Sequence, residues 1–237
     1  MARIRLRMYY ENMTLTLVAR KSEAEGVFSF LFQPPKHLRW KAGQHLAYTL
    51  PHPDPDKRGT TRYFSIASAP FEKKIMMTTR IEPKKGSSFK KALTSLIEGD
   101  TLEAEGPNGD FTLENPGQEF VFIAGGIGIT PFRAILLDLD HKKIPFKGTL
   151  LYANRTSKPA FQQELEKLSA KHPAFNLQYI VEPSRITPKT LQELIPDFSK
   201  PSLAESKPLF YLSGPPAMMQ AIERMLGEFG VPSSQIK

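Results

Sequence analysis

Three glycines that follow an apolar segment are the first residues of this sequence whose spacing could serve chemistry. Residues 120–124 are all apolar, and they are followed by Gly125, Gly126, Gly128, Thr130 and Pro131. Without Cβ atoms, the backbone of such a turn can approach a phosphate or a flat ring closely. A helix that begins here would offer free N–H groups and partial positive charge to an anion. A nucleotide site and an ordinary tight turn of an α/β protein both explain this segment.

The glycine spacing follows the G-x-G-x-x-G fingerprint of dinucleotide-binding folds only in part, because no third glycine comes after Gly128. That fingerprint also expects an acidic residue after the second strand, to bind a ribose 2′-hydroxyl. Here the second apolar segment ends near Tyr152, and Asn154 and Arg155 follow it. An arginine at this point favours the 2′-phosphate of NADP over NAD. A surface arginine without a ligand is the alternative.

The absence of cysteine from the 237 residues excludes several classes of site. Disulfides, thiolate zinc sites, Cys-ligated iron–sulfur clusters and a cysteine nucleophile all require that residue. The five histidines are scattered without an H-x-x-x-H pair, so we expect no metal site. No G-x-S-x-G elbow is present, which disfavours a hydrolase. Any redox chemistry must therefore use an organic cofactor or an external partner.

The charge and the apolar runs bear on partners and location. Lys and Arg number 32 against 24 Asp and Glu, a net charge of +8 that suits an acidic partner or an anionic ligand, or merely solubility. The longest apolar run, residues 120–129, is half the ~20 residues that a membrane helix needs. No apolar signal segment follows the basic N-terminal residues. We expect no transmembrane segment in this chain and a cytoplasmic location, or the cytoplasmic face of a membrane complex.

The elements that must position these residues change in type near residue 116. Residues 1–116 contain short apolar and β-branched segments divided by proline and glycine clusters, which predicts an antiparallel β-barrel. One segment in this half has helical spacing, and Ser87 or Ser88 can cap it. Residues 117–237 alternate apolar strands with amphipathic helices, which predicts a parallel α/β domain. The sequence therefore predicts two domains, 1–116 and 117–237.

Taken in order, these segments resemble the ferredoxin–NADP reductase family of flavin reductases over nearly the whole chain. The resemblance implies a Greek-key FAD-binding barrel over residues 1–116 and a Rossmann-like NAD(P)-binding domain over residues 117–237. Arg62-Tyr-Phe-Ser65 is similar to the family's R-x-Y-S motif, with Phe64 where the family usually has tyrosine. It implies that Arg62 pairs with a flavin phosphate, Phe64 stacks on the isoalloxazine and Ser65 lies near flavin N5. Alternate residues of a strand share a face, so Ser65 should face away from Arg62 and Phe64.

Two more segments of the barrel half resemble this family. Gly86-Ser-Ser is similar to the segment that starts a helix under the flavin pyrophosphate, and a serine-capped helix start suits an anion, although a plain N-cap looks the same. Gly106-Pro-Asn-Gly-Asp-Phe111 is similar to the barrel-closing G-P-x-G-x-F, which we interpret as structural. The FAD-binding residues that the resemblance implies are Arg62, Tyr63, Phe64, Ser65, Ile66, Gly86, Ser87 and Ser88.

In the second domain, Gly125–Pro131 resembles the family's G-G-x-G-x-T-P, and Ser213-Gly-Pro-Pro-Ala-Met218 resembles its C-G-P-x-x-M. The resemblance places Thr130 where nicotinamide and flavin meet, and the hydroxyl of Ser213, which replaces the family's cysteine, can still orient the nicotinamide. Ser184-Arg185 stands where the family often binds the 2′-phosphate. The candidate catalytic residues are Ser65, Thr130 and Ser213. The candidate NAD(P)-binding residues are Gly125, Gly126, Gly128, Thr130, Pro131, Asn154, Arg155, Ser184, Arg185, Gly214 and Pro215.

The expected activity follows from the resemblance. Hydride passes from NAD(P)H, with NADP(H) favoured, to FAD, and electrons then go to an external acceptor such as an acidic ferredoxin or flavodoxin, an oxygenase component, free flavin or iron. An alternative is the reductase portion of a larger or membrane-bound oxidoreductase. The basic aromatic segment 3–10 fits that alternative, as does the lack of the family's acidic and aromatic tail after Lys237, which otherwise leaves the flavin face open.

A protein of another class, a nucleic-acid-binding barrel, would also carry a basic charge. The basic residues of this sequence do not cluster with aromatic residues in one stretch. We therefore expect no nucleic-acid partner. Purified protein that is colourless and binds DNA with a steep salt dependence would contradict this expectation.

Overall fold

The computed structural model describes residues 11–82, 86–194 and 208–237, so the basic segment 3–10 lies outside the described residues. The first half is an antiparallel sheet of six strands in the order β4-β3-β6-β1-β2-β5, curled into a half-barrel. The strands and their helix are β1 (Glu11–Ala24), β2 (Val27–Gln33), β3 (His45–Thr49), β4 (Thr61–Ser65), β5 (Ile75–Arg80), α1 (Ser88–Ser95) and β6 (Thr101–Asn108). The predicted antiparallel barrel with one helix is confirmed.

The second half is a parallel sheet of four strands in the order β10-β7-β8-β9, with helices between the strands. Its elements are β7 (Phe120–Gly125), α2 (Thr130–His141), β8 (Gly148–Asn154), α3 (Gln162–Lys171), β9 (Phe175–Val181), α4 (Pro188–Leu194), β10 (Leu209–Ser213) and α5 (Pro216–Glu228). The predicted Rossmann-like α/β arrangement is confirmed. The predicted boundary between residues 116 and 117 lies in the connection from β6 to β7 and stays a prediction.

Strand β7 lies inside the parallel sheet, and all six of its residues are buried. Phe122 points to one face of the sheet, where its ring stacks on Phe132 of α2 with centroids 4.5 Å apart. Val121 and Ile123 point to the other face and pack in the cluster that includes α5. Because each fully buried phenylalanine contributes about 2 kcal/mol, this packing holds the start of α2 firmly at the end of β7.

The register of the parallel sheet brings distant residues to one edge. Ala124 pairs with both Ser213 of β10 and Tyr152 of β8, and Gly125 pairs with Ala153. Because parallel strands end together, the glycine turn lies beside the segments after β8 and β10. Ligands of open α/β sheets bind at this carboxyl edge.

The two halves share one apolar cluster. Val27, Ala67 and Met76 of the half-barrel pack in the same buried cluster as Phe122 and Phe132 of the α/β half. Within the described residues, no helix has the length and apolar character needed to span a membrane.

Candidate functional site

Strand β4 carries the motif that resembles the flavin-binding segment. It lies at one edge of the curled sheet and pairs with β3. Arg62 and Phe64 both approach Phe89 of α1, with the guanidinium carbon 5.7 Å and the Phe64 ring 5.9 Å from the Phe89 ring centroid. The side chain of Tyr63 is 70% exposed and contacts His45 edge to face. The observed alternation agrees with the predicted shared face of Arg62 and Phe64.

The guanidinium of Arg62 is held by the loop that precedes β4. Its Nη1 donates to the backbone oxygens of Arg58, Gly59 and Thr61 at 2.7 to 2.9 Å. Its Nη2 donates to Oδ1 of Asp56 at 2.7 Å. The Nε atom is buried and has no hydrogen-bond partner among the described residues. One N–H of this arginine is therefore available to a further acceptor.

The same carboxylate also contacts the start of α1. Oδ2 of Asp56 accepts from the backbone N–H of Ser88 at 3.3 Å, and the Asp56 N–H donates to Ser88 Oγ at 2.9 Å. Ser87 is the N-cap, because its side chain accepts from the Lys90 N–H. Hydrogen bonds, above all from the Arg58 N–H and then from Arg62, hold the pKa of Asp56 well below its usual range. Asp56 is therefore a carboxylate at neutral pH.

Arg62 and the N-terminus of α1 thus converge on one negative charge. These are the groups that the resemblance assigns to the flavin phosphates. A guanidinium, a helix N–H and a serine hydroxyl are a donor set that suits phosphate oxygens. The residues present fit a FAD pyrophosphate by their chemistry, with Asp56 as a competing anion on the same donors.

The three glycines of the second half have different physical roles. A Cβ on Gly125 would lie 2.5 Å from Met218 Sδ, and one on Gly128 would lie 2.1 Å from the Ser213 carbonyl oxygen. Gly126 has a φ of +55°, and a Cβ there would meet nothing within 4 Å. Gly125 and Gly128 are therefore required for packing of the turn against the segment that starts at Ser213. Gly126 is required for its left-handed backbone.

The turn leads directly into α2. A turn of 3-10 helix covers Gly126–Ile129. Ile129 is the N-cap residue of α2, and no side chain of the described residues forms a capping hydrogen bond there. The hydroxyl of Thr130 donates to the Ile127 carbonyl oxygen at 3.3 Å. The structure places Gly128 against Ser213 at the carboxyl edge of the sheet, and Thr130 follows two residues after Gly128. The predicted catalytic roles of Thr130 and Ser213 stay predictions.

A cavity of about 560 Å³ lies beside this turn, between the two halves of the molecule. The α/β half lines it with Gly126, Ile127 and the end of β8, and the half-barrel lines it with the β1–β2 turn and the end of β5. Among the described residues that line it, Arg80, Arg155 and Lys158 are cationic, and Glu25 and Glu82 are acidic. Asn154 and Arg155 were predicted from the sequence, whereas Arg80 and Lys158 were not.

Ser184 and Arg185 are placed elsewhere. They follow β9, and neither belongs to the described residues that line the cavity. Arg185 forms an exposed ion pair with Glu182 at 3.5 Å. Their predicted contact with a 2′-phosphate stays a prediction.

Sequence reasoning missed Asp56 and Arg133. Asp56 stands in a proline-rich loop that carries no pattern of its own. Arg133 is a single charged residue in the apolar start of α2, and its side chain is buried between the two halves. An isolated charge in an apolar helix was a signal that could have identified it, because a buried charge requires partners.

Two protein families match this chain. Residues 12–113 match the family described as "Oxidoreductase FAD-binding domain", and residues 122–224 match "Oxidoreductase NAD-binding domain". A flavohemoprotein of Burkholderia sp. (strain TH2) is 30% identical over 92% of this chain and 56% of that protein. The phthalate 4,5-dioxygenase oxygenase reductase subunit of Pseudomonas putida is 28% identical over 91% of this chain and 63% of that protein. The chain thus spans just over half the length of these relatives.

Solved structures show the same fold. The ferredoxin-NADP+ reductase of Plasmodium falciparum superposes with a TM-score of 0.79 at 17% identity, over 95% of this chain and 94% of that chain. The cytochrome P450 reductase GcoB of Amycolatopsis superposes with a TM-score of 0.79 at 22% identity, over 96% of this chain and 68% of that chain. At these identities the likeness concerns the fold alone.

Proposed function

The chain belongs to the FAD- and NAD-binding oxidoreductases of the ferredoxin–NADP reductase type, and from this premise we propose that it takes a hydride from NADPH and delivers electrons to a separate acceptor protein. The observation that carries the proposal is the cavity between the two halves. It joins Gly126 and Ile127 of the glycine turn and the cationic end of β8 to the β1–β2 turn and the end of β5 of the half-barrel. Its described lining does not include the flavin motif at residues 62–65. The first test is whether purified protein is yellow, contains FAD and oxidises NADPH.

We call the segments Arg62–Ala67 and Ser87–Ser88 the flavin half of the site, and the segments Gly125–Pro131 and Ser213–Pro215 the nicotinamide half. In the flavin half, Arg62 and the Ser88 N–H would hold the FAD pyrophosphate, Phe64 would pack on the ring system, and Ser65 would lie near the reacting nitrogen. When bound, FAD accepts a hydride and releases electrons singly or in pairs. Without cysteine this chain holds no Cys-ligated iron–sulfur cluster, so electrons leave to another molecule.

In the nicotinamide half, Thr130 and Ser213 orient the nicotinamide ring. The Thr130 hydroxyl already donates to Ile127, which leaves its oxygen lone pairs available to an amide N–H. The closeness of Gly128 to the Ser213 carbonyl fixes the segment that carries the Ser213 hydroxyl. Ser213→Ala should raise KM for NADPH and lower kcat, whereas Ser213→Cys should leave KM and kcat close to their wild-type values. Equal losses in both variants would contradict a hydroxyl role at residue 213.

The preference for NADPH over NADH rests on the cations of the cavity. Arg155 and Lys158 follow β8, where a dinucleotide places its adenosine ribose, and Arg80 faces them from the half-barrel. A guanidinium at this point binds a 2′-phosphate, whereas an acidic residue would repel it. Arg155→Ala should raise Kd for NADPH at least tenfold and change Kd for NADH less than twofold. Arg224→Ala, at an exposed arginine of α5 that does not line the cavity, is the matched control. Equal changes for both nucleotides would show that Arg155 does not bind the 2′-phosphate.

The acceptor is proposed to be an acidic electron-carrier protein or an oxygenase component, in the cytoplasm or at the cytoplasmic face of a membrane complex. A net charge of +8 favours association with an acidic carrier through steering. One relative is by its name the reductase subunit of an oxygenase. Steady-state rates with ferredoxin, flavodoxin, free flavin and ferric iron at two salt concentrations test this. We expect the highest kcat/KM with an acidic protein, falling with salt. A higher value with free flavin or iron would contradict it.

A second candidate is the reductase portion of a larger oxidoreductase. This chain covers only 56% of the length of the flavohemoprotein, which favours the second candidate. Co-purification of the chain from its source cells, followed by mass spectrometry of the intact protein, distinguishes the two candidates. A larger covalent chain supports the second, and a free 26.7 kDa chain supports the first.

A further inference from the structure

Arg133 joins the two halves of the molecule through a single buried guanidinium. It lies in the first turn of α2, and it is 3% exposed. Toward its own domain, Nε and Nη2 donate to the two carboxylate oxygens of Glu164 in α3 at 2.7 and 2.9 Å. Toward the half-barrel, Nη1 and Nη2 donate to the two oxygens of Glu72 at 2.9 and 3.0 Å. Nη1 also donates to the Ala67 carbonyl oxygen at 2.8 Å.

These hydrogen bonds use all five N–H groups of the guanidinium. The ring of Phe161 lies 4.9 Å from the guanidinium carbon, which adds a cation–π contact. Burial lowers the pKa of Arg133, but the hydrogen bonds to Glu164 and Glu72 outweigh burial and raise the pKa above its ordinary value. The charge is therefore permanent, and it is compensated by one carboxylate from each half.

The contacts of Arg133 lead to both halves of the proposed site. Ala67 is two residues beyond Ser65, on the backbone that continues the flavin motif. Thr130 is three residues before Arg133, one turn away on the same face of α2. The neighbouring ring of Phe71 stacks on His141 near the end of α2, with centroids 4.0 Å apart. The start and the end of α2 are thus both tied to the segment 67–72 of the half-barrel.

We propose that Arg133 is a positioning residue, which sets the distance between the nicotinamide half and the flavin half through Glu72 and Ala67. The proposal rests on the proposed function, because it assumes hydride transfer between these halves. A shift of about 1 Å in the reacting geometry can lower a rate about 100-fold. A buried charge with one partner removed is strongly destabilising, so the two halves cannot slide while Arg133 keeps both carboxylates.

The two carboxylates provide a matched pair of variants. Glu72→Gln weakens the connection between the halves, and Glu164→Gln weakens the corresponding pair of hydrogen bonds inside the α/β half. Glu72 Oε2 also accepts from the Ala69 N–H at 2.7 Å, and the glutamine amide oxygen can still accept that hydrogen bond. For each FAD-loaded variant, the hydride-transfer rate constant at saturating NADPH and the Kd of NADPH are measured by stopped flow. We expect Glu72→Gln to lower the rate constant at least tenfold with Kd changed less than threefold. Glu164→Gln should lower the rate constant less than threefold.

Variants of Arg133 itself separate positioning from folding. Arg133→Met removes the charge and the fork, and Arg133→Lys restores the charge with fewer hydrogen bonds. We expect the hydride-transfer rate constant to fall most in Arg133→Met and less in Arg133→Lys, relative to wild type. Leu226→Ala, a buried substitution in the cluster on the opposite face of the parallel sheet, is the stability control, and its rate constant should stay within twofold of wild type.

Hydrogen exchange of the protein without cofactor gives a readout that does not depend on turnover. The amides of Ala67 and Met76 bond to Met76 O and Ser68 Oγ in the segment that Arg133 holds. Exchange there should speed up at least tenfold in Arg133→Met and Glu72→Gln, and less than threefold in Glu164→Gln and Leu226→Ala.

The outcomes are distinguishable. Wild-type protein that NADPH and NADH cannot reduce would overturn the proposed function and this inference with it. An active wild type with equal rate constants in Glu72→Gln and Glu164→Gln would overturn the inference alone. Unchanged hydrogen exchange at residues 67–76 in Arg133→Met and Glu72→Gln, as in the two controls Glu164→Gln and Leu226→Ala, would also overturn the inference alone.

Discussion

The helix starts of the two halves handle charge in opposite ways. At α1, Ser87 caps the helix and the Asp56 carboxylate accepts from Ser88 and from Arg62. At α2, no side chain in the described ranges caps Ile129, and the preceding turn is shaped by glycine packing against the segment from Ser213. In the proposed flavin half, the donors available to an anion already hold a protein carboxylate. The nicotinamide half depends on close backbone contact.

This difference predicts which half tolerates change. We expect the loop with Asp56 to accept another anion, because Arg62 and Ser88 contact Asp56 through hydrogen bonds that a phosphate oxygen can replace. The glycine turn cannot give way, since the atoms that a Cβ would meet at Gly128 belong to the backbone of Ser213 and Gly214. Four substitutions test the comparison, in decreasing order of expected effect.

The largest effect is expected for Gly128→Ala. A Cβ 2.1 Å from the Ser213 oxygen must push β10 and the turn apart, which should cost about 3 kcal/mol or more of folding free energy and abolish NADPH-dependent reduction. The matched control is Gly126→Ala, which meets no atom but is strained at φ +55° by about 1 kcal/mol. Urea unfolding and NADPH titration measure both. Equal losses in the two variants would contradict the packing role of Gly128.

Arg62→Ala should abolish tight FAD binding while the fold persists. Loss of a charged partner from a phosphate costs about 2–3 kcal/mol, which raises Kd for FAD roughly 100-fold. Arg39→Ala, at an exposed arginine of the same half-barrel outside the flavin half, should change Kd less than fivefold. FAD content after gel filtration and fluorescence titration provide the measurement. Retained tight FAD in Arg62→Ala would show that the flavin assignment is misplaced.

Asp56→Asn should tighten FAD binding and weaken the cofactor-free protein. The amide oxygen still accepts from Arg62, but the negative charge that competes with the phosphates is gone. We expect Kd for FAD to fall about threefold to tenfold, because Arg62 and Ser88 no longer hold a competing negative charge. Thermal unfolding without FAD should shift to lower temperature. Weaker FAD binding in Asp56→Asn would instead make Asp56 a support for Arg62 rather than a competitor.

The smallest effect concerns His45, which pairs with Ser65 in the flavin half. Burial lowers the pKa of His45 below its ordinary value of 6.5. The unfolded chain therefore binds this proton more readily, and stability is lost as pH falls below about 6.5. Because His45 is only half-buried, His45→Gln should reduce the loss of folding free energy between pH 7.5 and 5.5 by about 0.2–0.5 kcal/mol. Identical urea midpoints for variant and wild type across this range would contradict it.

Local patterns in the sequence predicted much of the site because their causes are local. The face shared by Arg62 and Phe64 follows from strand alternation. The helix start at Ser87 follows from capping. The glycine turn after β7 follows from the run of apolar residues that ends in Gly125. Each of these depends on neighbours within a few positions of the chain.

Other parts of the site depend on contacts that no local pattern encodes. Asp56 meets Ser88 across 32 positions, and Arg133 meets Glu72 across 61 and Glu164 across 31. The cationic cavity combines Arg80 of the half-barrel with Arg155 and Lys158 of the α/β half. Such pairs form only when strands and helices pack, so the local pattern of a single sequence does not reveal them.

By itself, the sequence determined the two-domain order, the strand and helix periods and the identity of the glycine and arginine motifs, because hydrophobic periodicity and backbone freedom act over short stretches. Only the tertiary structure decided which anion Arg62 holds, why Gly125 and Gly128 must lack a side chain, and that one buried arginine joins the halves. The physical reason is that desolvation forces each buried charge to find a partner, and packing of the whole chain selects which one.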